Sequence, residues 1–357
     1  MVCLKEKTHK NKIVLFGIDN FCKKNVVQVN CLNQNGFVAD VFTSDSLGTS
    51  RKNLPKGNEL SILSKSFVGR LIQVFNYLVK NRRKIHHVEL YVGGRFVFFY
   101  LLLSKLFGQK VVVVERGDIS CYERYPALTK ISMKFSYKCS DIVWYRELYM
   151  RDKLKIWGVK TFFFLPNCVT LPHFNKFSNK VIDFLWANRL VPGRRSDWLV
   201  SVLRDDFFSS TRNVMLGFLG GSRKYKRNEL EEYVKKNKLD NLSIYNYGNL
   251  EPFYEKAKFF VFPAETVFCN NALLEAMSYG VVPLISNVQG AQLIIDDGVD
   301  GFVFEHTQKG LELAMKRALK LSEEEYMVLS SNARIKVKNN YSCKDWCCKL
   351  MKFYDEL

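Results

Sequence analysis

The sequence holds no C-x-x-C pair, and its ten cysteines stand singly apart from Cys347-Cys348. Structural zinc needs Cys and His clustered at short fixed spacings, so zinc-ribbon and finger modules are excluded. Histidines number only five, and His86-His87 are adjacent rather than one helical turn apart. No metal site is expected. The longest apolar run, 96–103, lies between Arg95 and Lys105. Even extended to Phe107 it is too short to span a bilayer, which takes about 20 residues. It reads as a core helix of an α/β domain or as a helix that dips into one membrane leaflet. No G-x-G-x-x-G follows the first apolar strand, where the chain reads Gly17-Ile18-Asp19-Asn20. A dinucleotide site there is not expected. Residues 1–12 are polar and basic, without the apolar segment of a signal peptide. Together with unpatterned cysteines this suggests a reduced, cytoplasmic setting.

Acidic residues are scarce in one half only. Residues 1–176 carry 29 Lys+Arg against 12 Asp+Glu, and residues 177–357 carry 25 against 23. Almost all of the net charge of +19 therefore belongs to the first half. An anionic partner is expected there. Nucleic acid is one candidate, but no nucleic-acid module with interleaved basic and aromatic residues is recognisable, and none is expected to bind. An anionic membrane surface is the other, with each Lys or Arg near it contributing about 1 kcal/mol. Basic residues scattered without purpose account for the total better than for the imbalance.

What is present is a chain of 357 residues, 47% hydrophobic and 25% charged, long enough for two domains. Compact apolar segments alternate with helical patterns. The segment 12–17 (KIVLFG) opens the series, a helix is expected over 20–35, and 37–43 is a second strand. Further strands are expected at 87–92, 110–115, 141–145 and 162–165, with helices at 67–80, 96–107, 130–139 and 147–156. The stretch 46–61 reads as a polar loop. After 171–180, which reads as an interdomain linker, the pattern resumes with strands at 183–186, 213–219, 242–247 and 259–262. Closing helices are expected at 311–319, 323–338 and 344–354. Repeated β-α order implies parallel sheets covered on both faces.

The stretch 263–305 carries the chemistry. Asn270-Asn271 can cap a helix, whose apolar face is Leu273, Leu274, Ala276 and Met277. Gly280 ends it and Pro283 follows. Glu275 stands among these apolar residues, where a carboxylate is costly unless something binds it. Gln289-Gly290-Ala291 lets backbone approach a ligand. The string Asn271, Leu273-Leu274-Glu275-Ala276-Met277, Gly280 and Pro283, continued by Gly290, Ile294-Ile295, Asp297-Gly298 and Gly301, resembles the nucleotide-sugar site of GT-B glycosyltransferases of the group 1 (GT4) type. Upstream, Asn188-Arg189-Leu190-Val191-Pro192-Gly193-Arg194 resembles that family's phosphate loop, G-R-L-x-x-x-K. Pro166-Asn167-Cys168-Val169 is similar to its crossover segment.

The resemblance implies two Rossmann-like doubly wound domains facing each other across a cleft. The first, basic domain would span 1–170 on the acceptor side, and the linker 171–180. A nucleotide-sugar domain would follow over 181–340, and a last helix, 341–357, would cross back to the first domain. It implies a retaining, metal-independent transferase that moves a sugar from a nucleotide-diphosphate sugar to a hydroxyl of a growing, lipid-linked cell-surface glycan. Location would be cytoplasmic, at the inner face of the membrane. No cofactor is implied beyond the nucleotide-sugar substrate, and the lack of any D-x-D motif agrees with cation-free chemistry. Glu275 would accept the ribose hydroxyls. Arg189 and Arg194 would hold the diphosphate as charge grows on it. Asn270, Asn271, Leu274, Gly290 and Ala291 would line the nucleotide-sugar site. The family's first glutamate falls on Val267, and Glu265, two residues earlier, is either its replacement or a loop charge. Asp118, after the strand ending at Glu115-Arg116-Gly117, is either a carboxylate for the acceptor hydroxyl or part of an ordinary turn. A GT-B epimerase or a non-catalytic GT-B partner is the alternative.

Overall fold

The computed structural model describes residues 11–18, 23–44, 54–91, 97–117, 119, 122–172, 180–218, 227–236, 239–246, 248–267 and 269–357. The chain divides into two units. One comprises Met1–Pro166 with Trp346–Leu357, the other Asn167–Asp345.

The first unit is built on seven parallel strands. These are β1 (Lys12–Ile18), β2 (Val38–Thr43), β3 (Glu59–Ile62), β4 (Ile85–Tyr91), β5 (Val111–Val114), β6 (Ile142–Tyr145) and β7 (Phe162–Phe164). Their order is β3-β2-β1-β4-β5-β6-β7. The central strands are buried along their length, as a sheet covered on both faces requires. The helices are α1 (Lys23–Gln34), α2 (Phe67–Asn81), α3 (Val97–Leu106), α4 (Ala127–Cys139) and α5 (Met150–Ile156). The order reverses between β1 and β4, and Gly17 marks the point. Its φ is +82°, and a Cβ there would meet the Tyr91 carbonyl oxygen at 2.4 Å, so only glycine fits.

Strand β3 falls in the stretch expected to be loop. It is a four-residue edge strand, Glu-Leu-Ser-Ile, with no residue fully buried. A half-exposed strand of that length leaves little hydrophobic pattern, and it forms because β2 offers a free edge. Helix α4 begins at Ala127, three residues before the expected start, because Pro126 provides its N-terminal boundary.

The second unit holds six parallel strands, β8 (Ile182–Arg189), β9 (Asn213–Phe218), β10 (Leu242–Asn246), β11 (Ala257–Phe262), β12 (Val282–Ser286) and β13 (Phe302–Phe304), in the order β10-β9-β8-β11-β12-β13. Around them lie α6 (Ser196–Val202), α7 (Arg227–Lys236), α8 (Glu251–Lys256), α9 (Asn271–Ser278), α10 (Gln308–Leu319) and α11 (Glu323–Asn340). Residues alternate along β8 between two apolar layers. Leu185 and Ala187 join the layer of α9, and Phe184 and Trp186 join the opposite one. Both sheets thus have the strand order of Rossmann-like domains, with a reversal next to the first strand. The second reversal lies between β8 and β11.

The final helix, α12 (Cys343–Asp355), belongs to the first unit from Trp346 onward. Trp346 Nε1 donates to the Pro166 carbonyl at 2.8 Å. The Tyr354 hydroxyl donates to the buried carboxylate of Glu89 on β4. Cys347 forms a disulfide with Cys31 of α1. This pairing departs from the expectation of ten reduced cysteines: the partners are 316 residues apart, and no sequence spacing announces them.

Candidate active site

In an open parallel sheet, ligands gather beyond the carboxyl ends of the strands where the order reverses. In the second unit that position is served by the loops after β8 and β11. Those two loops carry Arg189, Arg194, Glu265 and Asn270. The fold therefore brings together four residues that the sequence separates by up to 81 positions.

The loop after β8 is anchored by Leu190, which is buried beside β9. Gly217 of β9 makes room for it, because a Cβ there would lie 2.5 Å from Leu190 Cδ1. Arg189 ends β8 with its N–H bonded to Asn188 Oδ1 at 2.9 Å. Pro192–Arg194 forms one 3₁₀ turn. Arg194 is half-buried there. Its Nη1 donates to the Thr266 carbonyl at 3.2 Å, and its guanidinium lies 5.4 Å above the Phe262 ring. Burial pushes its proton affinity below that of an ordinary arginine, and the positive charge of Arg189 pushes it further. The loop end therefore has a positive potential, which favours an anionic ligand nearby.

Arg195 departs from the resembled family's pattern at the position after Arg194, and the sequence reading gave it no role. It adopts φ 48°, ψ 42°, and is the one non-glycine residue with positive φ among those described. The resembled family has glycine at this place, which explains that family's preference: the loop must turn through the left-handed region to start α6. Here the arginine uses the same turn to reach Glu265, with Nη2 2.6 Å from Oε1. Its guanidinium also lies 5.1 Å over the Trp198 ring.

Glu265 is held on two sides. Its backbone N–H donates to the Gly193 carbonyl at 3.0 Å. Its Oε2 lies where a Cβ on Gly193 would come within 3.1 Å. His306, just past β13, packs against Trp198 with ring centroids 4.9 Å apart and planes tilted by 44°. Burial and then Arg195 lower its pKa, while Glu265 pulls it back. No histidine was expected near the site. His306 gives no sequence signal, since it arrives from a strand 40 residues beyond the loop it joins.

Val267, at the position of the family's first glutamate, is fully buried in the core. Its N–H donates to the Gln289 carbonyl at 3.3 Å. Asn270 caps α9, its Oδ1 accepting from the Ala272 and Leu273 N–H groups at 2.9 and 3.3 Å, and Asn271 is the first helical residue. Glu275 is half-buried on α9, and the Tyr254 hydroxyl donates to its Oε2 at 3.4 Å. Tyr279 stands close by, its phenol pushed up to about 12 by burial and by Glu251, Glu255 and Glu275. Two expectations need correction. The Leu274 side chain is wholly enclosed in the core and its N–H is bonded to the Asn270 carbonyl. It packs α9 rather than lining a surface. Gly290 turns with φ 95°, but Ala291 is fully buried and gives its N–H to the Val288 carbonyl at 3.0 Å. That donor is already engaged.

On the first unit, Glu115 is buried and its Oε1 accepts from the Gly117 and Ile119 N–H groups at 2.6 and 3.2 Å. The Tyr137 hydroxyl donates to its Oε2. The carboxylate holds the turn after β5. Asp118 lies outside the described residues. Among the described residues, no group of three His, Cys, Asp or Glu side chains is placed to hold a metal ion.

Residues 182–320 match the family model of Glycosyl transferases group 1. No curated protein matches the chain by sequence. Among solved structures, sucrose-phosphate synthase from Thermosynechococcus elongatus superposes with a TM-score of 0.77 at 14% identity, covering 97% of this chain and 99% of that one. Anabaena HepE in complex with UDP gives 0.80 at 11%, covering 97% and 100%. A glycosyltransferase from Rickettsia africae ESF-5 gives 0.77 at 14%, covering 97% and 98%. The fold is GT-B. Residues 182–320 of the second unit match a group 1 glycosyltransferase domain, which makes the chain similar to transferases of that kind.

Proposed function

We propose that this chain transfers a sugar from a nucleotide-diphosphate sugar, with retention of anomeric configuration and without a metal ion, to a hydroxyl of a lipid-linked cell-surface glycan. The observation that carries the reading is the Arg189 and Arg194 pair at the reversal point of the second sheet. Arg194 is half-buried, and Arg189 at the end of β8 adds to the positive charge at its position. A diphosphate is an anion that gains charge as the sugar departs, so the pair binds the transition state more strongly than the ground state. The two guanidinium groups supply the positive charge that a divalent cation would otherwise bring.

Glu275 is the acceptor for the ribose hydroxyls, with Tyr254 orienting its Oε2. Asn270 and Asn271 start the helix that carries Glu275, and Gly290 lets backbone come close. Glu265, fixed by Arg195, is the carboxylate at hand for sugar hydroxyls in place of the family glutamate. In the retaining reaction the acceptor hydroxyl attacks on the face from which the diphosphate leaves. The departing phosphate oxygen takes the proton, so no enzymic nucleophile is needed. HepE is recorded with UDP and with UDP-glucose, which supports a uridine nucleotide as the first donor to test. Asp118 keeps its place as a candidate for orienting the acceptor.

The location we infer is cytoplasmic, at the inner face of the membrane; this rests on the basic charge of the first unit, since the Cys31–Cys347 bond removes the argument from reduced cysteines. One observation favours a second reading, a GT-B protein that binds without transferring: Val267 is sealed in the core where the family has glutamate. The deciding experiment is incubation with UDP-sugars and a polyprenyl-linked acceptor, followed by NMR of the product anomeric proton. An axial donor linkage kept in the product supports the proposal. An inverted linkage overturns retention, and epimer formation without acceptor identifies an epimerase instead.

A further inference from the structure

Three neighbouring helices of the first unit leave an apolar face uncovered. On α2 the exposed large apolar residues are Val68, Ile72, Phe75 and Val79. On α3 they are Phe99, Leu102 and Leu106, and on α4 they are Leu128, Ile131 and Phe135. Each set follows helical spacing, one stripe to each helix. A helix packed on a sheet normally turns its apolar stripe inward. These helices do that too, with Val74 and Leu78, Tyr100 and Leu101, and Met133 and Tyr137 buried. They therefore carry a second stripe that the core does not use.

Ring contacts join the stripes into one surface. Phe67 of α2 meets Phe99 of α3 at 5.0 Å, Phe75 meets Phe107 at 5.3 Å, and Phe98 of α3 meets Phe135 of α4 at 5.8 Å. Single exposed apolar residues need no explanation, but a contiguous field across three helices marks an interaction surface.

The charge of the same helices identifies the partner. Neither α2, α3 nor α4 contains an Asp or Glu. Lys80, Lys134 and Lys138 stand exposed on them, and Arg82-Arg83-Lys84 stand exposed just past α2. We propose that the α2–α3–α4 face seats on an anionic membrane surface, its ten apolar side chains entering the headgroup boundary and its basic rim meeting lipid phosphates. A second copy of this chain is disfavoured, because pairing this face with itself sets the basic rims against each other. No described helix is long and apolar enough to cross a membrane, so the contact is a seat on the surface and not a span.

The test is co-sedimentation of the full chain with vesicles of phosphatidylcholine alone or with one part phosphatidylglycerol to three of phosphatidylcholine. Anionic vesicles are expected to take up the wild type, and neutral ones to take up at least about tenfold less. The triple variant Ile72→Gln, Leu106→Gln, Leu128→Gln should lose about tenfold or more in binding with an unchanged circular dichroism melt, because all three side chains are more than half exposed to water. Lys134→Gln with Lys138→Gln should weaken binding and flatten its dependence on salt. Wild type that ignores anionic vesicles, or a triple variant that binds as well as wild type, overturns the proposal. So does a wild-type dimer that the triple variant converts to monomer, since the occupant would then be a second copy. Neither donor nor acceptor is present in this assay, so its failure would leave the transferase reading standing, and the reverse holds equally.

Discussion

Arg195 shows how one residue can replace a family's backbone solution with a side-chain one. A non-glycine residue in the left-handed region costs on the order of 1 kcal/mol. Glycine there would relieve that but would give back roughly 0.5–1 kcal/mol in unfolded-chain entropy. The Arg195–Glu265 pair is partly exposed on both sides, a setting in which ion pairs contribute about 0–1 kcal/mol. These amounts nearly cancel. We predict that Arg195→Gly changes folding free energy by less than about 1 kcal/mol, while freeing Glu265 lowers kcat/KM for the donor by roughly tenfold to hundredfold. Urea unfolding together with steady-state kinetics reads both. A large stability loss with unchanged kinetics would mean that the pair serves only the fold. Val267 makes the complementary case. Restoring the family glutamate by Val267→Glu places a carboxylate in a fully buried site, so we expect a loss of about 3 kcal/mol or more and no gain in activity. A stable, faster variant would contradict the placement of Val267 in the core.

At the scale of elements, the polar network under the end of α12 had no counterpart in the sequence reading. Glu89 accepts from Gln28 Nε2 at 2.8 Å, from the Tyr91 hydroxyl at 2.9 Å and from the Tyr354 hydroxyl, and His87 Nε2 lies 3.6 Å away. Burial alone would push its pKa up, but the His87 ring, Tyr354 and Gln28 outweigh burial and hold it below the usual glutamate value. Tyr91 and Tyr354 move far upward through burial and the Glu89 charge, so both remain neutral donors. With the folded value below the unfolded one, near 4.3, Glu89 stabilises the fold above the unfolded pKa. That contribution disappears as pH falls through the folded value. Glu89→Gln should therefore cost about 1–3 kcal/mol at pH 7, and the gap from wild type should narrow on acidification toward pH 3. Urea midpoints at the two pH values measure it, and a gap that stays constant would contradict the network.

These elements also show what could be read in advance. Strands such as Val111–Val114 are uniform apolar runs, so their places were evident from the sequence. Helix α9 announced itself through Asn270, its apolar face and Gly280. Strand β3 did not, because an edge strand with half-exposed residues has no pattern apart from its neighbour. The Cys31–Cys347 bond and the Glu89–Tyr354 contact tie the last helix to α1 and β4, and nothing local encodes contacts at separations of 316 and 265 residues.

For the whole molecule, the site was legible in part for a similar reason. Arg189, Arg194 and Glu275 lie in segments whose local pattern carries the resemblance. Arg195, Trp198 and His306 join the site only because β8, β11 and β13 end on the same edge of one sheet. The charge imbalance between the halves of the chain was evident in composition, but the apolar face of α2, α3 and α4 was not. Its stripes look like core until the sheet is seen to cover the opposite sides of those helices. The central claim concerns the second unit alone, that Arg189 and Arg194 form a diphosphate site needing no metal. Calorimetric titration with UDP, GDP and ADP in the presence of EDTA tests it most directly, using wild type and the Arg189→Ala, Arg194→Ala double variant. At least one nucleotide should bind wild type, and the double variant should bind it about a hundredfold more weakly or worse, as expected for two lost charge-assisted contacts. Binding of none of the three, or equal binding by the double variant, would contradict the account.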